Sequence, residues 1–360
     1  MVSALTTGAL APPAASAAAR PDTVQQSLNA LVHSGGLPAA LASVTDRAGR
    51  TRTYTAGVGD LATGSKVPRD GQLRIGSNTK VFTAVVVLQL VGEGKIRLDA
   101  TVDTYLPGLV RGEGIDGRHI TVRQLLQQTS GLPNYTEYLG DDVRTYDPHE
   151  LLHLALRHPA DFAPGTKWEY SNTNYVLAGL IIQKVTGRPL AQEMDQRVIK
   201  RVGLRHTYFP APGDATIREP HPHGYYQESA GAPLRDVTET DPSWGWAAGQ
   251  LVSTNSDLNR FFTALLAGRL LPAAQLAQMR TTVPAGYPFA TGSRYGLGLV
   301  STPLSCGGVS WGHGGSFPGY ETRGGVTDDG RAANVAVTLQ PTDEAAMKRA
   351  ERVVDTALCR

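Results

Sequence analysis

Between Asn78 and Gly92 the chain carries Val81, Phe82, Ala84, Val85, Val86, Val87, Leu88, Leu90 and Val91, apolar on nearly every face of a helix. Such a helix has no face to offer water and belongs at the centre of a domain. Whatever this chain folds into must therefore enclose that segment, which Gly92-Glu93-Gly94 ends. With 360 residues, 41% of them hydrophobic, the chain has the apolar mass to do so in one or two domains. No stretch reaches the roughly 18 consecutive apolar residues of a membrane-spanning helix. A net charge of +2, with no long run of like charge, argues against a nucleic-acid or polybasic membrane binder.

The rest of the chain falls into strand-rich ends and a helical middle. A short amphipathic helix at Thr23–Leu31 precedes two strand-like runs, Ala39–Asp46 and Arg52–Gly59, joined by the turn Arg47-Ala48-Gly49-Arg50. From Leu98 to Ala285 short helices alternate with Pro, Gly and Asp turns. Strands return at Tyr295–Val300, Gly308–His313, Tyr320–Val326 and Ala332–Leu339, with a hairpin turn at Thr327-Asp328-Asp329-Gly330. A last helix runs from Pro341 to Leu358. The expected fold is α/β (α+β): an antiparallel sheet built from both termini (residues 23–75 plus 286–360), flanked by helices, with a mostly helical region (76–285) inserted.

Residues 1–22 differ in composition. They hold Ala, Thr, Ser and Pro, no acid before Asp22, and Ala-x-Ala sites near Ala15–Ala19, which reads as the tail of a secretory signal. The two cysteines, Cys306 and Cys359, make an even pair that suits one disulfide in an exported chain. Two buried free thiols are the alternative.

Three short motifs carry chemistry. In Ser77-Asn78-Thr79-Lys80, at the mouth of the apolar helix, positions three apart share a helical face, so the Ser77 hydroxyl and Lys80 amine can meet. A serine needs an adjacent base to be nucleophilic. A lysine can be that base where desolvation lowers its pKa, and the apolar helix supplies the desolvation. In Tyr170-Ser171-Asn172, ahead of the apolar helix Val176–Val185, a tyrosine can shuttle protons if cations hold down its pKa. Asn172 can bind a substrate amide, and Ser or Asn here also suits a helix cap. In Trp311-Gly312-His313-Gly314-Gly315-Ser316, small residues let a substrate backbone approach a strand edge, with a main-chain N–H as oxyanion donor.

Taken in this order, the three motifs identify a resemblance to the penicillin-recognising serine hydrolases: DD-peptidases, class C β-lactamases, and their esterase and D-amidase relatives. The chain looks most similar to soluble actinomycete D-Ala-D-Ala carboxypeptidases and D-stereospecific amidohydrolases. The likeness extends over nearly the whole chain, through Leu73–Ala84, Thr121–Pro133, Tyr170–Gly179, Tyr295–Leu299 and Ser305-Cys306, and includes the Cys306–Cys359 pair. It implies a β-lactamase/transpeptidase-like fold and cofactor-free acyl-enzyme chemistry, with no metal. Ser77 would be the nucleophile, Lys80 its proton acceptor and Tyr170 the proton donor to the leaving group. Asn172 would hold the acyl-side amide, and His313 would orient Tyr170. The N–H groups of Ser77 and Ser316 would form the oxyanion hole beside Gly314 and Gly315, and Trp244 or Trp246 would line the acyl pocket. The implied substrates are a small peptide or a D-amino-acid ester or amide, including a peptidoglycan stem peptide or a β-lactam.

Two positions depart from the carboxypeptidase pattern. Gly314 stands where His-Thr-Gly has threonine, and Val300 stands where an arginine grips the substrate carboxylate. Their loss favours neutral leaving groups, as in a D-stereospecific peptidase or amidohydrolase, unless Arg294 or Arg323 substitutes. A strict D-Ala-D-Ala carboxypeptidase, a β-lactamase or esterase, and an inert penicillin-binding protein are the alternatives. A separate match, His149-Glu150-Leu151-Leu152-His153, has zinc-protease spacing. Asp147, Pro148 and Glu150 explain it more simply as a capped helix start, with Glu169, His221 and His223 supplying no recognisable third ligand. Gly314-Gly315-Ser316-Phe317-Pro318 lacks the second glycine of a lipase-type nucleophile elbow.

Overall fold

The computed structural model describes residues 22–140, 144–229, 231–340 and 344–360. The signal-like segment therefore lies outside the described residues, Asp22 excepted. The strands that build the large sheet are β1 (Ala39–Thr45), β2 (Thr51–Asp60), β3 (Ser65–Lys66), β4 (Val283–Pro284), β5 (Arg294–Tyr295), β6 (Val300–Pro303), β7 (Val309–Gly312), β8 (Gly315–Phe317), β9 (Tyr320–Thr327) and β10 (Ala332–Val337). Their order is β4-β5-β6-β7-β9-β10-β1-β2-β3, with β8 paired to β9. Every pair is antiparallel. The N-terminal hairpin thus joins the C-terminal strands through β1 and β10, as the alternating runs at both ends imply.

The principal helices are α1 (Thr23–His33), α2 (Thr79–Gly92), α3 (Val122–Gln127), α4 (Pro148–Leu156), α5 (Thr173–Thr186), α6 (Asn255–Leu266) and α7 (Glu344–Leu358). Both faces of the sheet are covered, so β1 is buried along almost its whole length. Ala40, Ala42 and Val44 face Val24, Leu28, Val353 and Leu358 of α1 and α7. The alternate residues Ala39 and Leu41 join a second cluster with Val252 and Tyr320. That division by parity is the two-residue period of a strand. Helix α6 lies against the sheet too: Asn255 and Asn259 donate to the carbonyls of Leu41 and Ser43, 3.2 and 2.9 Å away. The inserted region therefore docks on the sheet through its own helix, and the sheet begins at Val283 rather than after 285.

Helix α2 occupies the centre of the molecule, buried from Thr79 to Leu90, with Phe82 stacked on Phe261 at 3.9 Å. Caps set the other helices. Thr121 and Gln124 form a capping box on α3, and Asp147 and Glu150 form one on α4 with Pro148 in its first turn. Asp22 caps α1 and also accepts from Tyr54 and Arg360, tying the start of the described chain to its end.

One detail differs from expectation. The run Tyr295–Val300 is a tight hairpin: Tyr295 pairs with Val300 across a turn closed by Gly296 N–H donating to Leu299 O at 2.7 Å. Its aliphatic residues are buried against the core rather than alternating along one strand. Cys306 and Cys359 are joined, with Cα atoms 5.5 Å apart, and the bridge ties the residue after α7 to the turn between β6 and β7.

Candidate active site

Ser77 sits in a short 3-10 turn, Gly76–Asn78, that leads directly into α2. Gly76 has φ +47, and a side chain there would begin 2.5 Å from the carbonyl oxygen and 2.9 Å from the nitrogen of Ser316. Only glycine lets β8 come this close to the nucleophile turn. Asn78 secures the approach: its Nδ2 donates to Thr322 Oγ1 at 2.8 Å, and Thr322 donates to Gly315 O at 3.1 Å.

Lys80 is fully buried and has three neighbours: Ser77 Oγ at 3.0 Å, Asn172 Oδ1 at 2.6 Å and Ala248 O at 2.8 Å. Burial holds its amine well below the ordinary lysine range. Two of the partners are carbonyl oxygens that only accept; the third is the Ser77 hydroxyl, which accepts from the charged amine and can donate to the neutral one. The Asn172 amide is oriented from behind, its Nδ2 donating to Asn134 Oδ1 at 3.1 Å and Thr136 Oγ1 at 3.4 Å.

Tyr170 lies beside this group, lining the cleft with Ser77, and Lys80 Nζ lies 4.9 Å from its ring centre. Burial, reinforced by Tyr295, raises its phenol well above 10, against the opposing pull of Ser77 and Arg323. Tyr170 is therefore a protonated hydroxyl in this state, which corrects the expectation of a cation-lowered phenol. His313 also differs from expectation. Its Nδ1 donates to Gly314 O at 2.5 Å and its Nε2 accepts from Tyr295 at 3.2 Å, so it meets Tyr170 only ring to ring, at 6.3 Å. Burial, with Lys80 and Arg323 nearby, pushes the imidazole down to about 3. It is neutral and orients Tyr295, not Tyr170.

Ser77, Tyr170 and His313 line a cleft of about 630 Å³, together with Asn172, Trp244, Gly314, Gly315, Ser316, Phe317, Phe289 and Val300. The two tryptophans separate here. Trp244 lines the cleft, stacked on Phe317 at 4.9 Å. Trp246 instead turns into the core, where a side chain on Gly179 of α5 would begin 2.7 Å from its ring. The two arginines separate as well. Arg294 is spent on Thr282 Oγ1 and O, at 2.9 and 3.0 Å, whereas Arg323 lines the cleft. Gly314 now has a reason: a side chain there would begin 2.6 Å from Arg323 Nη1.

Several contributors carried no sequence motif. Gln128, in a left-handed cap at the end of α3, accepts from Ser171 N at 3.1 Å and Asn174 Nδ2 at 2.6 Å, and so shapes the Tyr170 loop. Tyr135 donates to Trp244 O at 2.5 Å and walls the cleft beside Thr136. Their order along the chain, inside Thr121–Pro133 and just after it, was visible; their convergence was not. The zinc-like spacing resolves as a cap. Glu150 accepts from Asp147 N at 3.0 Å, and His149 and His153 are exposed. Among the described residues no three His, Cys, Asp or Glu side chains are grouped to hold a metal ion.

With this geometry in hand, the comparisons are direct. The family model described as Beta-lactamase matches residues 24–358. The chain belongs to the beta-lactamase family. Among solved structures of this fold, a D-stereospecific amidohydrolase from Streptomyces sp. is 42% identical, with a TM-score of 0.83 over 91% of this chain and 97% of that one. The D-amino acid amidase from Ochrobactrum anthropi SV3, complexed with L-phenylalanine amide, is 27% identical, with a TM-score of 0.83 over 93% and 96%. Among curated relatives, the putative penicillin-binding protein PbpX of Bacillus subtilis (strain 168) is 27% identical over 71% of this chain and 59% of its own length. Protein flp of Staphylococcus aureus (strain MW2) is 30% identical over 52% of this chain and 37% of its own. The chain thus spans 37% to 59% of the length of these two family members.

Proposed function

We propose that this chain is a secreted serine hydrolase that cleaves amide, ester or peptide bonds after a D-amino acid through an acyl-enzyme on Ser77. The observation that carries the reading is the fully buried Lys80, 3.0 Å from Ser77 Oγ at the head of the apolar helix α2. Lys80 takes the Ser77 proton as Oγ attacks the substrate carbonyl. The N–H groups of Ser77 and Ser316, adjacent because Gly76 permits it, receive the oxyanion. Tyr170, a protonated hydroxyl beside Ser77, gives its proton to the leaving nitrogen or oxygen, and the proton that Lys80 took from Ser77 passes to the resulting phenolate, whose ring lies 4.9 Å from Lys80 Nζ. Water then hydrolyses the ester.

The D preference and neutral leaving group draw support from the amidohydrolase and amidase neighbours and from Val300 in the cleft where a carboxylate-gripping arginine would stand. Export is supported by the Cys306–Cys359 bridge, which suits an oxidising compartment, and by the signal-like composition of residues 1–22. The test is hydrolysis of D-phenylalanine amide against L-phenylalanine amide, with intact-mass detection of the acyl adduct. The reading expects at least about tenfold higher kcat/KM for the D form and no turnover or adduct in Ser77→Ala. Turnover surviving in that variant, or an L preference, would refute it.

A further inference from the structure

The residues lining the cleft include Tyr135, Thr136, Trp244 and Phe317 and, from other elements, His313, Gly314, residues of β6, and Glu351 and Asp355 of α7. The second group is assigned to the leaving-group arm because Tyr170, the proposed proton donor, has its aromatic contacts with His313, with Phe289 of the cleft and with the buried Tyr295. Arg323 forms part of that arm's wall, its Nη1 pressed beneath Gly314.

An uncovered guanidinium in this place would grip a carboxylate. Arg323 is covered. Its Nη1 is paired with the buried Glu321 and also donates to Thr322 O at 2.9 Å, and Glu351 Oε1 stands 3.4 Å from its Nε. Two carboxylates therefore face one guanidinium. Glu321 lies wholly inside, but Glu351 lines the cleft and keeps 27% of its side chain accessible. Asp355, the other acid of this arm, is engaged by Ser305 N and Oγ at 2.8 and 2.5 Å. Lys348 and Arg352 also line the arm, but both are exposed, where water and salt screen their charge.

We propose that Glu351 is a specificity-determining residue: it neutralises Arg323 and presents a carboxylate to the leaving-group arm, which turns away free acids and admits neutral leaving groups. Repulsion of the wrong substrate thus adds to the missing attraction at Val300. The inference rests on the hydrolase reading above. It is tested with the full chain, comparing kcat/KM for an acyl-D-Ala-D-Ala peptide and for the same peptide amidated at its C-terminus.

Glu351→Gln should raise the acid-to-amide ratio about tenfold or more, the size of a recovered charge-assisted hydrogen bond. Glu351→Asp, which keeps the charge, should retain the wild-type ratio. An unchanged ratio in Glu351→Gln, or an equal shift in Glu351→Asp, would overturn the proposal while leaving Ser77 chemistry intact. Hydrolysis of both peptides by Ser77→Ala would instead overturn the functional reading, and this inference with it.

Discussion

The protonation state of Lys80 is open to a measurement that needs no substrate. In the unfolded chain a lysine titrates near 10.4, whereas in the fold burial holds Lys80 well below that. Between the two values the unfolded chain binds one more proton than the native state. Stability therefore rises with pH across that window, and the penalty disappears only above the unfolded value. For one proton the slope is about 1.36 kcal/mol per pH unit. Other groups contribute their own slopes, but these cancel in the difference between wild type and Lys80→Met, which fills similar space without titrating. Urea unfolding of both at pH 7, 8 and 9 should show wild type gaining on the variant as pH rises, with about 1.4 kcal/mol per pH unit as the ceiling for one proton. The same variant should lose about 10²–10⁴-fold in acylation rate, the usual worth of a general base. Parallel stability curves would mean that Lys80 carries its proton in the fold. The neutral-amine assignment drawn from its burial would then be wrong.

Other outcomes follow from single contacts. Gly314→Thr places a Cβ 2.6 Å from Arg323 Nη1; thermal melts should show a loss of about 1–3 kcal/mol from overpacking, and steady-state kinetics a fall in kcat/KM. Trp244→Ala should raise KM with little change in kcat, because Trp244 lines the cleft. Trp246→Phe should lower the melting temperature and leave KM alone, because Trp246 is seated against Gly179. Replacing Cys306 and Cys359 with serine opens a loop of sequence separation 53. The chain-entropy model puts that at about 4 kcal/mol, a drop of about 6 °C for a chain of this size, readable by calorimetry. His313, held down to about 3, binds fewer protons than the unfolded chain between that value and 6.5. Wild type should therefore lose stability relative to His313→Gln as pH falls from 6.5 toward 3, visible as diverging melting temperatures.

The elements that were legible in the sequence are those whose residues answer to local rules. Apolar residues on every face of Asn78–Gly92 demanded burial, and α2 is the centre of the core. The paired runs at 39–46 and 52–59 matched β1 and β2 because strand alternation and turn chemistry are short-range. Where the texture was ambiguous the reading failed. Tyr295–Val300 looks like a strand in composition, yet Gly296 and Gly298 let the chain reverse so that Leu297 and Leu299 reach the core. Strand β8 is three residues of Gly, Ser and Phe with no alternation to betray it. What makes it a strand is its pairing with β9 and the room left by Gly76, both of them tertiary facts.

The same distinction separates positions from roles in the site. Ser77 and Lys80 meet because helical spacing alone brings residues three apart together. Protonation states depend on what surrounds a group, and those surroundings come from distant segments. The family resemblance gives His313 the role of orienting Tyr170, but its nitrogens are taken by Gly314 O and Tyr295, a partner 18 residues away in sequence. Tyr170 was read as needing a cation to hold its phenol down, yet burial raises it, which suits a donor to the leaving group better than a phenolate base. Arg323 explains why a motif glycine replaces threonine, and the explanation comes from β9, beyond the reach of any local pattern. The motif thus fixes which atoms can touch; the folded surroundings decide which of them holds a proton, and so which one acts as acid and which as base.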